Sequence, residues 1–260
     1  MTQTIQKAAA PRNPVAGPDS AQTMRPLDVS VWRGRETGAF MSYRVPAQAS
    51  QTVLDVVTYI QRHLEPELSY RYACRVGMCG SCAMTVNGIP RWTCRTQVAS
   101  ALRNGHIRIA PLRNFEVIKD LVCDFGTFFD KWTRARGYFV PRAGSGNQLA
   151  VIDPQSPARR AADAGVECIN CGICHAACDV VAWNPDYLGP AALNRAWTLQ
   201  NDVRDASHAD RLMAVSGDAG CHACHSHQSC VQHCPKHLRP TESISGLKRA
   251  AARALLRGLL

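Results

Sequence analysis

The sequence predicts an α+β chain, with a small mixed sheet around one helix in the first half and a mostly helical second half. Three observations carry this reading. Residues 27–110 hold short strand-like runs separated by Gly, Asn and Pro, with one stretch at helical spacing. Beyond Pro111 the apolar spacing becomes helical. Eleven of the thirteen cysteines fit close-spaced groups, one in the first half and two in the second, as metal-holding loops require.

Taken in order, residues 27–33 and 40–45 read as strands joined across a glycine-containing loop from Gly34 to Gly38. Thr52 caps a helix whose Val53, Val56, Val57, Ile60 and Leu64 share one face. Asp55 completes a capping box, and Pro66 ends the helix. Next come a cysteine-rich loop, a hairpin turning at Asn87-Gly88, and a strand at 107–110. Past Pro111, the spacing of Ile118, Leu121, Val122, Phe125, Phe129 and Trp132 predicts one core-facing helix, with Cys123 upon it as a small buried residue. A Gly/Ser-containing stretch at 141–148 leads to the second cysteine region, set among helical patterns such as 191–199. The terminal GLKRAAARALLRGLL reads as a basic amphipathic helix, with either a solvated face or one that meets lipid headgroups or an anchor protein. The expected division is an unstructured extension at 1–24, a sheet domain at 25–112 and a helical domain at 113–260.

Composition narrows the classes. With 260 residues and 46% apolar content, the chain is long enough for two cores. No run reaches the roughly 18 consecutive apolar residues of a membrane helix. Residues 1–24 have neither an apolar core nor a twin-Arg pair, so they read as a cytoplasmic extension rather than an export signal. The odd cysteine count and the C-x-x-C spacings favour metal sites over a disulfide scaffold. A formal charge of +10 suggests nucleic acid or anionic lipid at first sight. Three anionic metal–thiolate centres of about −2 each would bring the loaded chain to about +4.

Cys74, Cys79 and Cys82 stand in the order C-x4-C-x2-C, the plant-type arrangement for a two-iron cluster in a β-grasp ferredoxin. Gly77 and Gly80 let that loop fold tightly enough for its N–H groups to face sulfur. Counting back from the Asn87-Gly88 turn puts Cys82 opposite Thr93, which returns Cys94 to the loop as a fourth ligand. Four such cysteines can also hold zinc, although the spacing is atypical for it.

Cys168, Cys171, Cys174 and Cys178 form C-x2-C-x2-C-x3-C, the bacterial ferredoxin run whose fourth cysteine binds the other cluster. A second run of equal spacing is Cys224, His227, Cys230 and Cys234, with His227 in a cysteine's place. Crossing the fourth ligands gives a complete four-iron set, Cys168, Cys171, Cys174 and Cys234. Only Cys178, Cys224 and Cys230 remain for the other, which suits a three-iron cluster that has lost its corner iron. A shifted set using Cys221 stays open, as does ligation by His227.

The segments SYRYACRVGMCGSC, CINCGICHAACDVVAWNPDYLGPAAL and CVQHCPKHLRPTESI resemble the iron–sulfur subunit of succinate dehydrogenases and fumarate reductases. The resemblance runs from about residue 27 to the C-terminus. It implies a relay of 2Fe–2S, 4Fe–4S and 3Fe–4S clusters between a flavoprotein carrying FAD and a membrane anchor that binds quinone. It also implies a peripheral place on the cytoplasmic side of the inner membrane and no dicarboxylate site on this chain. On the same basis Trp183 and His225 match quinone-pocket residues. Asp179 stands where the family usually has Pro and Val180 where it often has Ser or Gln; Asp179 is then either a proton donor to quinone or a solvated helix-start carboxylate. The other readings are an iron–sulfur subunit of a different flavoprotein dehydrogenase and a basic nucleic-acid binder with structural metals.

Overall fold

The computed structural model describes residues 25–142 and 149–258; the expected extension at 1–24 and most of the 141–148 linker lie outside the described residues. Strands β1 (Leu27–Gly34) and β2 (Gly38–Val45) form an antiparallel hairpin. Helix α1 (Val53–Tyr59) follows and runs on through a π-helical turn at Ile60–Leu64. Its capping box is formed: Asp55 N–H donates to Thr52 Oγ1 at 3.2 Å and Thr52 N–H to Asp55 Oδ2 at 3.0 Å. Strands β3 (Ala83–Val86) and β4 (Ile89–Trp92) close on Asn87 and Gly88, both in the left-handed region that a tight hairpin turn needs. After the short helix α2 (Val98–Ala101) comes β5 (His106–Ala110).

The sheet order is β2-β1-β5-β3-β4, with β1 parallel to β5 and the other neighbours antiparallel. A parallel pair needs a crossover, and α1 lies within it. The apolar face of α1 fills the core: Val53, Val56, Val57 and Ile60 are fully buried with Val29, Val31, Ile107 and Ile109.

One expected element is corrected. Instead of a single helix through 118–132, the chain makes two short paired strands, β6 (Val117–Lys119) and β7 (Val122–Cys123), before helix α3 (Gly126–Arg134). Asn114 and Asp120 have φ of 63° and 52°, which a right-handed helix does not accommodate. Asp120 is nearly fully buried, and its carboxylate accepts from Arg33 Nε, Gly34 N–H and Ser69 N–H. The first half thus captures this segment. Cys123 is buried, as expected, but on β7 rather than a helix.

The second half is helical: α4 (Pro157–Val166), α5 (Ile173–Ala176), α6 (Asp179–Trp183), α7 (Gly189–Gln200), α8 (His208–Val215), α9 (Ser229–Gln232) and α10 (Pro240–Leu256). Helix α7 is buried along most of its length and α10 lies across it. A Cβ on Gly246 would come within 2.6 Å of the Trp197 ring, so glycine there lets the two helices approach. Helix α10 starts at Pro240, ahead of the stretch whose charge pattern announced it, because Ser243 and Ile244 also join its buried face.

Candidate metal centres

The loop from Cys74 to Cys82 bridges α1 and β3. Gly77 and Gly80 have φ of +74° and +75°, so successive N–H groups turn inward. Val76, Met78 and Cys79 N–H all donate to Cys74 Sγ, at 3.5, 3.2 and 3.3 Å. These bonds, that from Cys79 first, pull the Cys74 thiol down to about 6. The register Ala83 to Trp92 sets Cys82 against Thr93, whose N–H and hydroxyl both donate to the Cys82 carbonyl. Cys94 follows in a 3₁₀ turn beside Cys82. Burial, with Cys82 adding to it, pushes its thiol up to about 11. Cys74, Cys79, Cys82 and Cys94 are thereby gathered at one end of the sheet.

The other two sets are brought together as the crossed arrangement requires. Cys168, Cys171, Cys174 and Cys234 line one cavity, with Ile169, Gly172, Pro235 and Leu238. Cys178, Cys224 and Cys230 line a second, with Tyr187, His225, His227 and Thr241. The fourth cysteine of each run faces the other run. Cys221 is fully buried in the helical core and lines neither cavity.

Burial raises the thiols of Cys168, Cys174, Cys178 and Cys230, and carries Cys171 up to about 11. Sulfurs buried beside one another resist ionisation unless positive charge sits among them, and iron supplies that charge. Thiolate donors in dry pockets fit iron–sulfur clusters. Among the described residues no three Cys, His, Asp or Glu side chains converge on a single-ion position.

Trp183 is exposed at 69% and does not fill the core. Its ring meets His227 edge-on at 6.1 Å, and His227 lies 6.1 Å from His225. These rings cluster at the third cysteine set. Asp179, at the first position of α6, is paired with Arg113 at 2.7 Å across a half-exposed surface.

Several contributors carry no local sequence signal. Asn114, in the left-handed region, donates from Nδ2 to the carbonyls of His175, Ala176 and Cys178, tying the second cysteine run to the first half. Thr241 Oγ1 stands 3.3 Å from Cys230 Sγ. Trp92 packs between Cys82, Cys94 and Cys171.

Residues 28–130 match the model of a 2Fe-2S iron–sulfur cluster binding domain, and residues 166–238 that of a 4Fe-4S dicluster domain. The fumarate reductase iron–sulfur subunit of Mycobacterium tuberculosis is 38% identical over 90% of this chain and 95% of its own length. The mitochondrial succinate dehydrogenase (ubiquinone) iron–sulfur subunit 1 of Oryza sativa subsp. japonica is 37% identical over 76% of this chain and 70% of its own. Among solved structures, a chain of the Mycobacterium smegmatis Sdh1 complex in the apo form superposes with a TM-score of 0.79 at 27% identity, covering 88% of this chain and 96% of that one. The chain belongs to the family of succinate dehydrogenase and fumarate reductase iron–sulfur subunits, which transfer electrons within those oxidoreductase complexes.

Proposed function

We propose that this subunit relays electrons between the FAD of a flavoprotein partner and quinone at a membrane anchor, through three clusters held by named cysteines. Cys74, Cys79, Cys82 and Cys94 hold 2Fe–2S; Cys168, Cys171, Cys174 and Cys234 hold 4Fe–4S; Cys178, Cys224 and Cys230 hold 3Fe–4S. The observation that carries the reading is the sharing of two cavities by two interleaved runs, one cavity with four cysteines and the other with three. When bound, the clusters supply one-electron carriage between neighbouring carriers. The chain's own part is to orient sulfur, exclude water and fix the spacing of the sets.

In this reading the two-iron domain begins at residue 25 and the helical domain follows it, with the β6–β7 segment beyond residue 112 seated on the first. The exposed Trp183, with His225 and His227, forms the quinone end beside the three-cysteine set. Among the described residues no helix is long and apolar enough to cross a membrane. In this reading the chain sits peripherally on the cytoplasmic side of the inner membrane, held by an anchor subunit. The test is made on the purified complex, where FAD should accompany the chain. Trp183→Phe and His225→Ala should impair quinone-linked turnover while leaving transfer from the flavin to an artificial acceptor nearly intact. Equal loss of both activities would reassign these residues to packing or cluster stability.

A further inference from the structure

Trp92 ends β4, pairs in register with Ala83 and is only 8% exposed. Its ring reaches in two directions. Toward the first cysteine set it packs with Cys82 and Cys94, and a Cβ on Gly77 would stand 3.2 Å from its Cζ3. Toward the second set it packs with Ile173 and, at the margin of the same core, Ile169 and Cys171. Its Nε1 is buried with no hydrogen-bond partner among the described residues. A buried indole N–H without an acceptor has given up its hydration for nothing in return, so such a group calls for a partner. Cys171 is where one would stand: Nε1 lies across the indole from Cζ3, so the ring edge that bears it faces away from the Gly77 loop and toward the second set, where Cys171 packs against the same core.

The geometry points to Trp92 as a positioning residue whose indole N–H donates to the sulfur of Cys171 once that sulfur is an iron-bound thiolate. This rests on the ligand assignment proposed above. A hydrogen bond to a cluster thiolate stabilises the more negative, reduced state and so raises the reduction potential. The same ring seals the space between the two sets, so the second cluster's potential is governed partly by a residue of the two-iron sheet.

The test is Trp92→Phe in the purified complex, which keeps most of the ring volume and removes the N–H. Midpoint potentials are read cluster by cluster in a redox titration followed by electron paramagnetic resonance. The four-iron potential should fall while the other two stay put, with iron content unchanged. Trp92→Leu, which also loses packing, should lower the same potential and reduce cluster occupancy as well. An unmoved four-iron potential, or one shift common to all three clusters, would overturn the role of Trp92. Should the variants fail to assemble, wild-type complex labelled with indole-¹⁵N tryptophan should show a hyperfine-coupled indole nitrogen at the reduced four-iron cluster; its absence would refute the bond. A wild-type protein without a four-iron cluster would instead sink the ligand assignment itself.

Discussion

The three-cysteine set depends on one residue, His227, which stands in a cysteine's place and turns its ring toward Trp183. His227→Cys should restore the missing thiolate and admit a fourth iron. The single-unpaired-spin resonance of the oxidised three-iron cluster should then disappear from the spectrum. The extra negative charge should also lower that cluster's potential and slow delivery to quinone. If the oxidised wild type lacks that resonance and holds four irons at this site, His227 is itself a ligand. The cysteines were legible because their spacings are local and their chemistry is stated by residue type. Trp92, Asn114 and Thr241 were not, since each acts on a sulfur or carbonyl outside its own segment: Asn114 caps carbonyls some sixty positions ahead. No periodicity marks such a residue.

At the level of elements, the first helix is specified by its own sequence: the capping box joins Thr52 and Asp55, and the valines behind it are buried. Thr52→Ala should therefore cost about 1 kcal/mol, read as a shift in the denaturant midpoint at unchanged slope. The β3–β4 hairpin was equally readable, because Asn-Gly at a two-residue turn fixes which residues face each other, and Thr93 does meet Cys82. The segment at 117–123 was not. Its apolar residues have helical spacing, yet Asp120 accepts three hydrogen bonds from Arg33, Gly34 and Ser69, distant partners that a helix would leave unserved. A tertiary demand overrode a local pattern. The terminal helix shows the milder case: its amphipathic face was legible, but its start at Pro240 was set by burial of Ser243 and Ile244.

For the whole molecule, what matters is how closely the two halves are seated. A Cβ on Gly80 would lie 2.6 Å from Cys171 Cβ, and the residue's φ is +75°. Gly80→Ala should thus strain the first cysteine loop and push it off the second, lowering the melting temperature and the iron retained at both sites. Farther off, Arg211 and Asp205 form a fully buried pair, with both guanidinium N–H groups donating at 2.9 Å. Burial alone would raise the Asp205 carboxyl, but hydrogen bonds from Arg211, Val140 and Ser207 outweigh it and hold it below the usual range. That stability is whole above the unfolded carboxyl's pKa of about 4 and is lost as pH falls through the lower folded value. Asp205→Ala should cost about 3–5 kcal/mol and make the melting temperature less dependent on pH below 4. The central claim is that these cysteines hold three different clusters, and anaerobic purification followed by iron, sulfide and zinc analysis tests it most directly. About nine irons per chain with matching sulfide is the expected result; stoichiometric zinc with little sulfide would contradict the account.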